Sequence, residues 1–297
     1  MKDDASPAEM NDKPSLSRRD FAALSVAAGV AMATSGAALA AKTEVTESDV
    51  QIKTPDGVCD AALVHPKGKG AHPGVILYPD ALGLRPAMRD MAKRLAAEGY
   101  AVVVPNMFYR TTKAPVFAPG FSFSNKDDMA KLGEVRKPLT SEAVMRDATA
   151  LVAFLDAQSA VNKSARIGVQ GYCMGGPMTL QTAAAAPTRV GAGASFHGGG
   201  LVTDKPDSPH LLVAKIKARY YFGIAANDDE RQTEAKTVLD AAFHAANLPA
   251  KIEVYQGCMH GWCVKDMPAE AGKPIYNEAQ AERAWGELLA LYKQALV

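Results

Sequence analysis

Arg166-Ile167-Gly168-Val169-Gln170-Gly171-Tyr172-Cys173-Met174-Gly175-Gly176 is the stretch that decides the fold. Residues 166–170 read as a short buried strand, and residues 174–186 as a helix. Between them stands one reactive side chain, Cys173, with glycine two places before it and two places after. A nucleophile on such a strand-to-helix corner sits in a strained turn, so the flanking positions must lack side chains that would collide. The helix N-terminus beneath the sulfur favours the thiolate over the thiol. The Met174 N–H points to where an oxyanion would develop. The spacing is that of a nucleophile elbow with Cys in place of Ser.

Outward from this corner the chain alternates strand and helix. Residues 58–64, 74–78, 100–104, 190–196, 219–224 and 251–255 are short apolar runs bounded by Gly, Pro or polar residues, and they read as strands. Met88, Met91, Ala92 and Leu95 recur at helical spacing after Pro86, and Val144, Ala148, Leu151, Val152 and Leu155 do the same. Residues 233–246 and 278–294 predict two more helices, whereas 106–127 lack periodicity and read as loop. The β-α-β-α order predicts an α/β domain with a mostly parallel sheet and helices on both faces. Ligands of such sheets sit beyond the carboxyl ends of the strands.

Those strand ends carry the candidate chemistry. A Cys nucleophile needs a base and a carboxylate to orient it. Asp228 follows strand 219–224, with Asp229 as the fallback. His260 follows strand 251–255 and is the base candidate. The order Cys…Asp…His is that of the hydrolase triads built around a nucleophile elbow. Ala81, after strand 74–78, is placed to give the second oxyanion N–H, with Asp80 beside it. His197-Gly198-Gly199-Gly200 reads as a Gly-rich loop at the mouth, with His197 as a substrate contact. Cys258-x-His260-x-x-Cys263 offers three metal ligands where a closed zinc site wants four, so no metal and no cofactor are expected. Gly191-x-Gly193 lies within a strand and lacks a third glycine, which argues against a dinucleotide site.

Composition sets the remaining bounds. The chain of 297 residues has 33 Lys plus Arg against 32 Asp plus Glu, a formal charge of +1, so no nucleic-acid partner is expected. Four cysteines in this length do not make a disulfide scaffold. Arg18-Arg19-Asp20-Phe21, the apolar run 22–30 and Ala38-Leu39-Ala40 follow in the order of a twin-arginine signal peptide. Residues 1–41 are thus expected to direct bacterial export to the periplasm or beyond, with the export machinery as a partner and no stable membrane anchor. Residues 42–297 are expected to form one domain.

Taken together, Gly171-Tyr172-Cys173-Met174-Gly175-Gly176, Asp228 and His260-Gly261-Trp262 resemble the dienelactone hydrolase family. Tyr276-Asn277 and Ala281-Glu282-Arg283-Ala284-Trp285 extend the resemblance to the C-terminal helix. It implies an eight-stranded α/β-hydrolase fold without metal, cleaving lactones or small activated esters through Cys173, His260 and Asp228. It also implies a carboxylate at Asp80 that holds the resting thiol neutral and moves aside for substrate. The family's type member has the longer Glu there. An arginine for a substrate carboxylate is implied as well, with Arg110 or Arg136 as candidates, and Trp262 as a further substrate contact. A general carboxylesterase, a non-catalytic binding protein and a redox sensor using Cys258 and Cys263 are the competing expectations.

Overall fold

The computed structural model describes residues 43–269 and 272–296, so the expected signal peptide lies outside the described residues. Eight strands form one sheet: β1 (Val45–Thr54), β2 (Gly57–Pro66), β3 (Gly74–Tyr78), β4 (Ala101–Pro105), β5 (Ile167–Tyr172), β6 (Val190–Phe196), β7 (Arg219–Ala225) and β8 (Ala250–Tyr255). Their spatial order is β1-β2-β4-β3-β5-β6-β7-β8. The β1–β2 and β2–β4 pairs are antiparallel and every other pair is parallel.

Parallel neighbours need crossover connections, and helices supply them. The helices are α1 (Pro86–Ala97), α2 (Lys126–Arg136), α3 (Ser141–Ala157), α4 (Gly175–Ala185), α5 (Ala226–Arg231), α6 (Ala235–Ala245) and α7 (Glu278–Ala295). Side chains alternate along each strand, so successive residues feed two cores. Val75, Leu77 and Val102 meet Met88 and Leu95 of α1 and Leu288 and Tyr292 of α7 on one face. Ile76, Val103 and Val169 meet Leu151 and Leu155 of α3, Leu180 of α4 and Phe243 of α6 on the other. Cover on both faces is why β3 and β4 are apolar and buried at every position. Truncating Leu155 or Leu180 to Ala would cost about 2–5 kcal/mol through the cavity left behind.

Three elements escape the sequence reading: β1, α2 and the six-residue α5, which buries no residue. In β1 only Ile52 is buried, because this edge strand packs one side and leaves the rest to water. Its antiparallel partner is set by the turn at Pro55-Asp56, closed by Gly57 at φ +140°, which a side chain would strain. Helix α2 starts inside the stretch read as loop. Asn125 caps it by accepting from the Asp127 and Asp128 N–H groups, and only Leu132 and Val135 are buried, so its periodicity is faint.

The register brings the functional strand ends together. Tyr78 pairs with Gly171, Tyr172 with Phe196, Phe196 with Gly223, and Ala225 with Tyr255. The loops that begin after β3, β5, β6, β7 and β8 therefore open side by side along one edge of the sheet.

Candidate active site

The corner at Cys173 has the strain its glycines predict. Cys173 has φ +54°, a left-handed conformation rare for a side chain of its size. Its N–H is shared between the Phe196 carbonyl and His197 Nδ1, both at 3.1 Å. Its carbonyl accepts from Gly176 N–H at 3.0 Å and Gly199 N–H at 3.3 Å. A Cβ on Gly171 would lie 2.0 Å from the Gly175 carbonyl oxygen, and one on Gly176 would lie 2.5 Å from Ser195 Oγ. The first obstacle is backbone and cannot rotate away. Gly171→Ala is therefore expected to lower stability by about 3 kcal/mol or more and to displace the thiol. Thermal melts and the alkylation rate of Cys173 check this together, and a wild-type Tm would refute it.

His260 Nδ1 lies 2.7 Å from Asp228 Oδ2. Asp229, the fallback, is held by Lys236 Nζ at 2.7 and 2.8 Å. The His260 N–H donates to Asn227 Oδ1 at 2.9 Å, a second support that the sequence reading missed. Burial alone would lower the His260 pKa, but the Asp228 hydrogen bond and the neighbouring Cys173 outweigh it and raise it to about 10. Cys173, His260, Asp228, Asp80 and Ala81 line one cavity of about 600 Å³, walled by Phe123, Met267 and Ile275. The Met174 N–H sits at the N-cap of α4, the position where a helix leaves its first donors unpaired.

Four of the expected residues are held by partners that the sequence reading did not foresee. Asp80 is 1% exposed and lines the cavity, but Arg85 grips both its oxygens at 2.8 Å and the Leu82 N–H donates to Oδ1 at 2.9 Å. Its two oxygens are thus occupied by Arg85 and the Leu82 N–H, and among the described residues no hydrogen bond joins it to the Cys173 thiol it was expected to hold. His197 is completely buried, so it is not a substrate contact. Its ring stands edge to face against His260, with centroids 4.9 Å apart. Burial, with His260 alongside, pushes its pKa well below the usual range, and the neutral ring accepts from Cys173 through Nδ1. Trp262 is likewise buried, stacked on Tyr255 at 4.7 Å, and turns no face to the cavity. Arg110 binds Asp147 at 2.8 Å and Asp56 at 2.7 Å, and it does not line the cavity that holds Cys173. Arg136 is exposed on α2 and borders a separate cleft, which touches the site through Met174 and Gly199.

The side chains that wall the cavity were not legible as a motif. Phe123 comes from the α2 approach, Arg231 from α5, and Met267, Pro268, Ala269 and Ile275 from the segment after His260. Cys258 and Cys263 are free thiols.

A doubly covered, mostly parallel sheet with a strained Cys corner and an Asp-bound His at neighbouring strand ends defines a protein of the α/β-hydrolase fold. Residues 59–296 match the dienelactone hydrolase family, and the chain belongs to that family of hydrolases. A Synechocystis protein named "Putative carboxymethylenebutenolidase" is 28% identical over 239 residues, covering 79% of this chain and 91% of its own. A Methylorubrum extorquens protein of the same name is 27% identical over 98% of this chain and 97% of its own. Among solved structures, a dienelactone hydrolase-like promiscuous phosphotriesterase from metagenomic libraries superposes with a TM-score of 0.71 at 22% identity. That match covers 85% of this chain and 99% of the other, and it speaks to the fold.

Proposed function

We propose that this hydrolase cleaves a lactone or a small activated carboxylic ester through Cys173, His260 and Asp228. The observation that carries the reading is the 2.7 Å contact from Asp228 to His260 beside a left-handed Cys173. Asp228 fixes the imidazole so that Nε2 is left for the sulfur. In the first half-reaction the Cys173 thiolate attacks the acyl carbon, forming the C–S bond, while the Met174 and Ala81 N–H groups hold the oxyanion. Collapse breaks the acyl C–O bond, and the imidazolium of His260 protonates the departing alkoxide. In a lactone that alkoxide stays tethered to the acyl chain. In the second half-reaction His260 takes a proton from water, which attacks the thioester and releases the carboxylate and Cys173. Removing one oxyanion donor in comparable sites costs about 2.7–4 kcal/mol of transition-state stabilisation. The test is a panel of lactones and p-nitrophenyl esters with Cys173→Ala as control; turnover on none of them by the wild-type chain would overturn the reading.

Export is the second part of the proposal. Arg18-Arg19, the apolar run and Ala38-Leu39-Ala40 support twin-arginine export with cleavage near Ala41. Among the described residues no helix is long and apolar enough to cross a membrane. Replacing Arg18 and Arg19 by Lys is expected to trap an unprocessed precursor in the cytoplasm. Cell fractionation with N-terminal sequencing checks this, and an unprocessed wild-type chain as the stable form would refute it.

A further inference from the structure

The triad and the oxyanion donors leave the largely buried guanidinium of Arg85 unused. Arg85 closes the loop between β3 and α1, and its side chain is 10% exposed. All five of its guanidinium donors are taken. Nη1 reaches Asp80 Oδ1 at 2.8 Å and the Gly83 carbonyl at 3.2 Å. Nη2 reaches Asp80 Oδ2 at 2.8 Å and Asp266 Oδ1 at 2.7 Å, and Nε reaches Asp266 Oδ2 at 2.8 Å. A planar fork that holds two carboxylates bidentately fixes distance and angle on both sides, which a lysine cannot do.

What those two carboxylates are attached to matters. Asp80 immediately precedes Ala81, and it pins the loop around that residue twice. Its Oδ1 takes the Leu82 N–H at 2.9 Å and its carbonyl takes the Gly83 N–H at 3.0 Å. Asp266 immediately precedes Met267, Pro268 and Ala269, which line the same catalytic cavity as Asp80 and Ala81. The Met267 side chain in turn lies so close over Gly261, next to His260, that a Cβ there would meet its Cγ at 2.8 Å. The segment from Trp262 to Asn277 is closed at its base by the Asn277 N–H to Trp262 carbonyl bond, 3.1 Å. Among the described residues, Asp266 also ties this segment to Arg85.

We propose that Arg85 is a positioning residue that locks the Ala81 oxyanion loop to the Met267–Ala269 wall, so that the carbonyl of a bound ester is aligned on Cys173. The proposal rests on the Cys173 hydrolysis reading above, and it predicts two separable effects. The Asp80 side sets the oxyanion N–H and therefore turnover. The Asp266 side sets the wall and therefore substrate affinity.

The full chain is assayed with p-nitrophenyl acetate and dihydrocoumarin, and amide hydrogen exchange is followed at residues 81–84 and 266–276. Arg85→Lys is expected to lower kcat by about tenfold or more, since a small displacement of a catalytic donor carries a large penalty in rate. Asp266→Asn, at an exposed side chain, is expected to keep kcat within about twofold and raise KM by about three- to tenfold. Both segments should exchange about tenfold faster in Arg85→Lys, whereas only 266–276 should do so in Asp266→Asn. Should Arg85→Lys fail to fold, the paired variant Asp80→Asn/Arg85→Gln removes both charges together and carries the same kcat expectation. A lowered Tm with kcat and KM both within twofold of wild type would reduce Arg85 to a structural ion pair and overturn the proposal. Unchanged exchange in both segments would overturn it independently of any assay. Hydrolysis that survives Cys173→Ala would instead strike the triad reading, with the exchange data still deciding on Arg85.

Discussion

Cys173→Ala is expected to lower the turnover of an activated ester by about 10⁴-fold or more, and His260→Ala by a similar factor. In the proposed mechanism the two side chains act as one unit: without the sulfur no acyl-enzyme would form, and without the imidazole the alkoxide would leave unprotonated. The double variant should accordingly be little worse than either single one. Residual activity would come from the Met174 and Ala81 donors and from binding alone. Neither substitution removes a structural hydrogen bond of the Cys173 corner, because its ties run through the backbone N–H and carbonyl. Circular dichroism and Tm should therefore stay near wild type for Cys173→Ala. Steady-state kinetics on p-nitrophenyl acetate provides the measurement, and wild-type turnover in Cys173→Ala would remove this residue from the chemistry.

Asp228→Asn should cost nearly as much, about 10⁴-fold in kcat, because an amide at 2.7 Å from Nδ1 permits the wrong tautomer and no longer stabilises the imidazolium. The same variant has a pH signature. His260 has its pKa raised from 6.5 to about 10 in the folded protein, against burial and chiefly by the Asp228 hydrogen bond, with Cys173 adding to it. A histidine whose folded pKa lies above its unfolded value contributes stability that is fully present below about pH 6.5 and disappears as the pH rises through about 10. Wild type should therefore be more stable than Asp228→Asn at pH 6, and the gap should close across that window. Urea unfolding of both proteins at pH 6, 8 and 10.5 measures it. A gap that stays constant over the range would mean that Asp228 does not hold a protonated His260.

Much of this architecture is written in local sequence because its causes are local. Short, continuous β-branched runs such as Ala101–Val104 fit strands covered on both faces, and Pro86 with Met88, Ala92 and Leu95 marks a helix by its own spacing. The corner at Cys173 is legible for the same reason. Gly171 answers to a contact within the turn itself, where a Cβ would meet the Gly175 carbonyl, whereas the room denied to Gly175 and Gly176 is taken by Tyr78, Pro79, Ser195 and Gly198 of neighbouring strand ends. The polar edge strand β1 and the weakly buried helix α2 are the converse. Each hides few residues, so neither leaves a periodic trace.

Side-chain roles divide along the same line. Asp228 and His260 could be paired from the sequence because parallel strands deliver their carboxyl ends to one edge, and chain order then says which loops meet. Asp80, His197, Trp262 and Arg110 could not be read, since each role depends on a partner that chain order does not specify. Asp80 is five residues from Arg85, but only the folded loop turns the guanidinium onto it and out to Asp266, 181 residues further along the chain. Arg110 has the chemistry of a carboxylate binder and spends it on Asp56 and Asp147. By itself the sequence determined the parallel core of the sheet, the strained Cys173 corner and the order of the candidate triad, because backbone sterics and hydrophobic period act over a few residues. Which charges are free to meet a substrate was decided only by the tertiary structure, because an ion pair is formed by whichever opposite charge the fold brings within about 3 Å.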